Sequence, residues 1–113
     1  MRSIESLTTR ERSALDDLKA RIGASFPGVS FRMTLFGSRA RGDAEPDSDT
    51  DVLVELDKPD ISFAEKKRLR RIAGEISLKS DVLICLVIVD GRTRQEKGDY
   101  SIFQNIREEG IPL

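Results

Sequence analysis

Gly37-Ser38, ten further residues, and then Asp49-Thr50-Asp51 set the tightest constraint on this chain. The stretch begins Leu35-Phe36-Gly37-Ser38-Arg39-Ala40-Arg41-Gly42 and closes on Ser48-Asp49-Thr50-Asp51-Val52-Leu53-Val54. An apolar run delivers a Gly-Ser turn, a polar loop follows, and two carboxylates then stand at the mouth of a second apolar run. Alternate residues of a strand share a face, so Asp49 and Asp51 point the same way and can hold the same hard cation or pair of cations. Oxygen-only ligands suit Mg2+ or Mn2+. Gly37 lets backbone approach a phosphate closely, and Ser38 adds a hydroxyl donor and amides at the start of a helical turn. A phosphate grip beside paired metal carboxylates equips a chain to move a phosphoryl or nucleotidyl group.

Two other phosphate and metal motifs fail on the same stretch. A P-loop needs Lys followed by Ser or Thr after its second glycine, and Gly42 is followed by Asp43-Ala44. An EF-hand loop counted from Asp47 matches at Asp49 and Asp51, then meets Val52 where glycine is required and Lys58 where a bidentate Glu belongs.

The 113 residues suffice for a single domain, 1–113, with one core. A net charge of -1 gives no general affinity for polyanions, but the signs are segregated. Residues 43–60 carry eight acids against one base, Lys58, and residues 66–71 carry five bases. The acids repel a nucleotide unless cations intervene. The bases face either solvent or an acidic partner. There is no His, which removes Ser-His and Cys-His nucleophiles and most zinc sites. The single Cys85 lies inside the apolar run Val82–Val89 and reads as a buried small hydrophobe. One Cys forms no internal disulfide, which fits a cytoplasmic home, and no apolar signal region or membrane-length run is present.

Local signals order the elements. Thr8 with Glu11, and Ser62 with Glu65, are capping boxes opening helices to about Ala24 and about Lys79. Leu15, Leu18 and Ile22 form the buried stripe of the first, and Leu69, Ile72, Ala73 and Ile76 that of the second. Phe63 lies off the second stripe and is expected to cover an end of the core. Val29, Phe31, Met33 and Leu35 alternate with polar residues as a strand buried on one face, and Asp51–Leu56 is a second strand. Val82–Val89, continuous and β-branched, reads as a central strand buried on both sides. Residues 91–100 read as a polar mobile loop, and Ile102–Glu109 as a last helix with Gly110 as its C-cap. The expected fold is a small α/β (α+β) sandwich, helices backing a mixed sheet. A two-metal site wants a third carboxylate. Asp81, where a helix feeds the Val82–Val89 strand, is the candidate; Asp90 lies at the opposite end of that strand, so only one of the two reaches the site. On the residues alone, Asp81 reads equally as a ligand and as a cap.

Phe36-Gly37-Ser38-Arg39-Ala40-Arg41-Gly42-Asp43 with Ser48-Asp49-Thr50-Asp51-Val52-Leu53-Val54 resembles the minimal nucleotidyltransferases of the DNA polymerase beta-like superfamily, as does the closing Ile106-Arg107-Glu108-Glu109-Gly110-Ile111-Pro112-Leu113. The resemblance covers about residues 30–113. It implies a nucleotidyltransferase-like fold in which Asp49 and Asp51 bind metal, Gly37 and Ser38 hold the triphosphate, and Asp81 is the third metal-binding and catalytic Asp. Arg39 and Arg41 either contact the triphosphate or pair with the acids at 43–47. Many minimal members of that family are antitoxins encoded beside a HEPN-domain ribonuclease toxin, and some transfer AMP from ATP to a toxin tyrosine. Larger relatives carry a helical acceptor-binding domain for which this length leaves no room. The acceptor is then presented by a partner protein or by a second copy of the chain, as a homo-oligomer. Three functions follow: a Mg2+-dependent adenylyltransferase that modifies a HEPN toxin, a non-catalytic antitoxin acting by contact, and an enzyme acting on a small molecule or nucleic acid.

Overall fold

A computed structural model of the chain describes residues 7–37, 40, 49–97 and 101–113. Among these the elements are α1 (Thr9–Ser25), β1 (Phe31–Phe36), β2 (Thr50–Leu56), α2 (Phe63–Ser80), β3 (Ile84–Val89), α3 (Gly91–Lys97), α4 (Ser101–Glu109) and β4 (Ile111–Pro112).

Both capping boxes form as the sequence predicts. Thr8 Oγ1 accepts from the Glu11 amide at 3.1 Å while Glu11 Oε1 accepts from the Thr8 amide at 2.8 Å. Ser62 and Glu65 repeat the exchange at 3.1 and 2.9 Å. Each box satisfies two amide donors that a helix start otherwise leaves without partners.

The sheet runs in the order β3-β2-β1-β4. β2 lies antiparallel to β1, with Phe36 opposite Asp51, and parallel to β3, with Asp51 opposite Cys85. The sheet is therefore mixed, as expected. One face carries Met33, Leu35, Val52, Val54, Leu56, Ile84 and Leu86, which pack on the predicted stripes of α1 and α2. On the other face, Leu53 and Val89 form a smaller cluster with Ile106 of α4, joined by Phe36 and Val87. Two apolar faces on one small sheet need helices on both sides, and α4 covers only part of the second.

Several expectations are corrected. β3 is an edge strand, not a central one, and Cys85 on it is exposed, not buried. The edge is guarded from α2. The outward amide of Ile84 donates to Ser77 Oγ at 3.1 Å, and Arg70 Nη1 donates to the Leu86 carbonyl at 3.4 Å. These contacts occupy groups that would otherwise invite another strand. Phe63 is 82% exposed and covers no core. Residues 91–97, expected as loop, form α3, whose start is held by Asp90 accepting from the Thr93 amide at 2.8 Å. β4 adds a short edge, with Ile111 opposite Leu35. The chain reaches it through Gly110, whose amide donates to the Ile106 carbonyl at 2.8 Å. A side chain at Gly110 would collide with Thr34 and with that carbonyl. Among the described residues no helix is long and apolar enough to cross a membrane.

Candidate active site

The site is built where β1 ends and β2 begins. Phe36, the last residue of β1, pairs with Asp51. Gly37 follows at φ 74°, a left-handed conformation that costs a side-chain-bearing residue about 1–2 kcal/mol. A Cβ at Gly37 would also fall onto Asp51 Oδ2. Glycine is thus required twice over, for its backbone angle and for the space its absent side chain leaves to a carboxylate.

Strand alternation sets the acids. Thr50 is fully buried on the helix-covered face, and its amide donates to the Leu83 carbonyl at 2.7 Å, tying the start of β2 to β3. Asp51 points to the other face and is half-buried, and Asp49, just before the strand, is exposed. Asp51 thus stands on the face away from α1 and α2, with Asp49 two residues before it at the same end of the sheet. Ala40 is buried nearby in sequence, while Ser38, Arg39 and Arg41 lie outside the described residues.

Asp81 is not brought to them. It closes α2 in a left-handed conformation (φ 54°, ψ 38°), and its carboxylate lies 3.6 Å from Arg10 of α1 with its side chain 94% exposed. α1 and α2 pack on the face opposite Asp51, so Asp81, as the cap of α2, lies on the helix side of the sheet. The residue that stands beside Asp51 on the neighbouring strand is Cys85, four positions further on. Among the described residues, no group of three or more His, Cys, Asp or Glu side chains could hold a metal ion. The reading of Asp81 as a cap matches this geometry; the reading of it as a third ligand does not. Sequence reasoning missed the place of Cys85 because an unbroken apolar run carries no register.

Two carboxylates are a donor set that would suit a hard cation, with its other positions left to oxygens from outside the chain. The space kept open at Gly37 is what lets the Asp51 carboxylate lie against the backbone there instead of being displaced by a side chain.

The opposite end of the sheet is organised differently. Asp90 is buried, and its Oδ2 accepts from the Ile61 amide at 2.9 Å, so it ties the β2–α2 connection to the end of β3. Burial pushes its carboxyl up, but hydrogen bonds from Thr93 and Ile61 and the charge of Lys66 together hold it below the ordinary value. Glu65 is held down to about 2, chiefly by Lys58 and then by Ser62. A cavity of about 240 Å³ at this end is lined by Ser30, Phe31, Arg32, Glu55, Asp57 and Arg94, with buried Glu55 at 3.4 Å from Arg94.

The model of the nucleotidyltransferase domain family matches residues 15–111. The chain is similar to "Putative protein adenylyltransferase MJ0141" of Methanocaldococcus jannaschii, 47% identical over 57 residues, which is 50% of this chain and 57% of that relative. It is also similar to "Putative protein adenylyltransferase MJ0604" of the same organism, 27% identical over 103 residues, 91% of this chain and 97% of that relative. No solved structure matches the chain. With the family model spanning all but the ends of the chain, and the glycine turn lying against the second Asp of the pair, the chain belongs to the nucleotidyltransferase domain family, as a minimal member of the polymerase beta-like superfamily.

Proposed function

We propose that this chain transfers the adenylyl group of ATP to a hydroxyl of a partner protein, a tyrosine of a HEPN-domain toxin, and so acts as an antitoxin. The observation that carries the reading is the contact of Gly37 with Asp51: a turn able to admit a phosphate lies directly against a carboxylate able to hold its counter-cation. The names given to the two relatives, each of which includes the words "protein adenylyltransferase", support a protein as acceptor.

In this reading Asp49 and Asp51 hold Mg2+, or Mn2+, together with the triphosphate, whose oxygens rest on the Gly37-Ser38 turn. The bound cation supplies charge neutralisation and polarises the phosphate oxygens. The acceptor oxygen bonds the α-phosphorus, the bond from that phosphorus to the α,β-bridging oxygen breaks, and pyrophosphate leaves. The hydroxyl proton passes to solvent water at the mouth of the site, where Asp49 is exposed. Incubation with ATP, Mg2+ and the product of the adjacent gene tests this. Intact mass spectrometry is expected to find one AMP, or a small multiple, added to that protein, and Asp51→Asn is expected to add none. Label on RNA or a small molecule instead would overturn the acceptor class.

One observation favours a second reading, neutralisation by contact alone: no third carboxylate accompanies Asp49 and Asp51 among the described residues. Silencing of the toxin that survives Asp51→Asn and leaves its mass unchanged would establish that reading.

A further inference from the structure

The side of α2 turned away from the core is unusual for a solvated helix face. At about 100° per residue, Phe63, Lys67, Arg70, Arg71 and Leu78 fall within about 100° of arc, opposite the buried stripe of Leu69, Ile72, Ala73 and Ile76. Phe63 is 82% and Leu78 90% exposed. Lys67 and Arg71 make no ion pair with any described residue, although α2 carries acids at Glu65 and Glu75; those are taken by Lys58 and Arg21. The stripe therefore presents two cations, Lys67 and Arg71, that no described residue neutralises, between two large apolar side chains about 22 Å apart.

The stripe also leads to the site. Leu78 lies in the last turn of α2. Leu83, 59% exposed, follows the Asp81 cap and accepts the Thr50 amide between the two site acids. Phe63, Leu78 and Leu83 are the exposed large hydrophobics among the described residues, and all three lie on this path.

We infer that the outward face of α2, continued by Leu83, is the surface on which the protein acceptor docks, and that the acceptor meets it with an acidic face carrying apolar contacts. The inference rests on the proposed function for the identity of the acceptor and adds where it binds. Charge selects an anionic occupant, and the apolar anchors select among anions. Two of the three are leucines, which offer no stacking surface to a base, so nucleic acid is a poor match. Asp49 and Asp51, which flank the residue that Leu83 holds, oppose an extended polyanion at that end of the stripe. A membrane-surface helix segregates its apolar and basic residues onto different faces, and here they share one. A folded protein supplies local acids and apolar pockets together.

The double variant K67E/R71E, with L78D as a second, separates docking from chemistry, because all three residues are exposed and none belongs to the metal or phosphate site. With the product of the adjacent gene as probe, K67E/R71E is expected to raise its KM about tenfold while kcat stays within about twofold. Stabilisation of the variant by ATP with Mg2+ should match the parent. Wild-type binding should weaken as salt is raised, and that of the variant should not. Modification with unchanged KM in both variants overturns the docking surface and leaves the proposed function standing. Binding that is lost in K67E/R71E, without any added mass on the probe, keeps the docking surface and overturns the transfer. Failure of the parent to bind the probe overturns the inference. So does binding of a 20-residue single-stranded RNA or of phosphatidylserine vesicles that K67E/R71E abolishes.

Discussion

Gly37 and Asp51 share one volume: the space a Cβ would take at the glycine is filled by the carboxylate of the aspartate on the neighbouring strand. Register makes this so, because Asp51 pairs with Phe36 and Gly37 turns away immediately after it at φ 74°. Gly37→Ala should therefore act on both members. Backbone strain should cost about 1–2 kcal/mol by urea unfolding. Displacement of the carboxylate should lower transfer by about a hundredfold, the scale of an ångström misplacement in a preorganised site. Near-normal turnover in Gly37→Ala would show that the contact is not part of the working site.

Asp49→Asn and Asp51→Asn should each abolish transfer with little change in melting temperature in the absence of ligand, since neither side chain is buried in the core. In the parent, ATP with Mg2+ at a hundredfold excess over its dissociation constant should add about 2.7 kcal/mol of stability. ATP with a chelator should add much less, and the variants should lose the metal-dependent increment. Equal shifts with and without metal would remove the cation from the proposal.

Asp81→Asn should leave transfer close to the parent. Its carboxylate faces Arg10 across 3.6 Å at an exposed position, a pair worth about 0–1 kcal/mol. Asp81→Gly should hold or raise stability, by up to about 1 kcal/mol, because glycine takes the left-handed angle at φ 54° without the steric cost. A loss of transfer in Asp81→Asn comparable with that of Asp51→Asn would restore the third-ligand reading against this geometry.

The difference between Asp51 and Asp81 shows what the sequence carried. That Asp51 turns away from the face covered by α1 and α2 was legible because a period-two pattern is local and needs no knowledge of any neighbour. The capping boxes at Thr8 and Ser62 were legible for the same reason. The position of Asp81 depends on register: Thr50 pairs with Ile84, three residues past Asp81, and nothing in Val82–Val89 announces that offset. The same run reads alike for a central and an edge strand. What makes it an edge is the strand order. What makes that edge tolerable is Ser77 and Arg70, which reach it from a different element. Phe63 was misplaced because amphipathic spacing tells which side chains leave the stripe but not what waits for them there.

Acid should weaken the end of the molecule opposite the site first. Glu65 and Asp90 both have folded-state values below their ordinary ones, Glu65 falling from 4.5 to about 2. A depressed carboxyl contributes stability that is fully present above its unfolded value and is lost as pH falls toward the folded one. For Glu65 that window runs from 4.5 down to about 2. Glu65→Gln should lower stability at neutral pH and flatten the stability profile across that window. Asp90→Asn should behave differently. The carboxylate serves the amides of Ile61 and Thr93 with its two oxygens, and an amide side chain has one acceptor oxygen. One buried amide then loses its partner, at a cost of about 1–3 kcal/mol at neutral pH. Loosening of the Ile61 and α3 attachments should appear as faster amide exchange at Ile61 and Thr93, while the Gly37–Asp51 end keeps its protection. Unchanged exchange at both amides would show that Asp90 does not hold this end together.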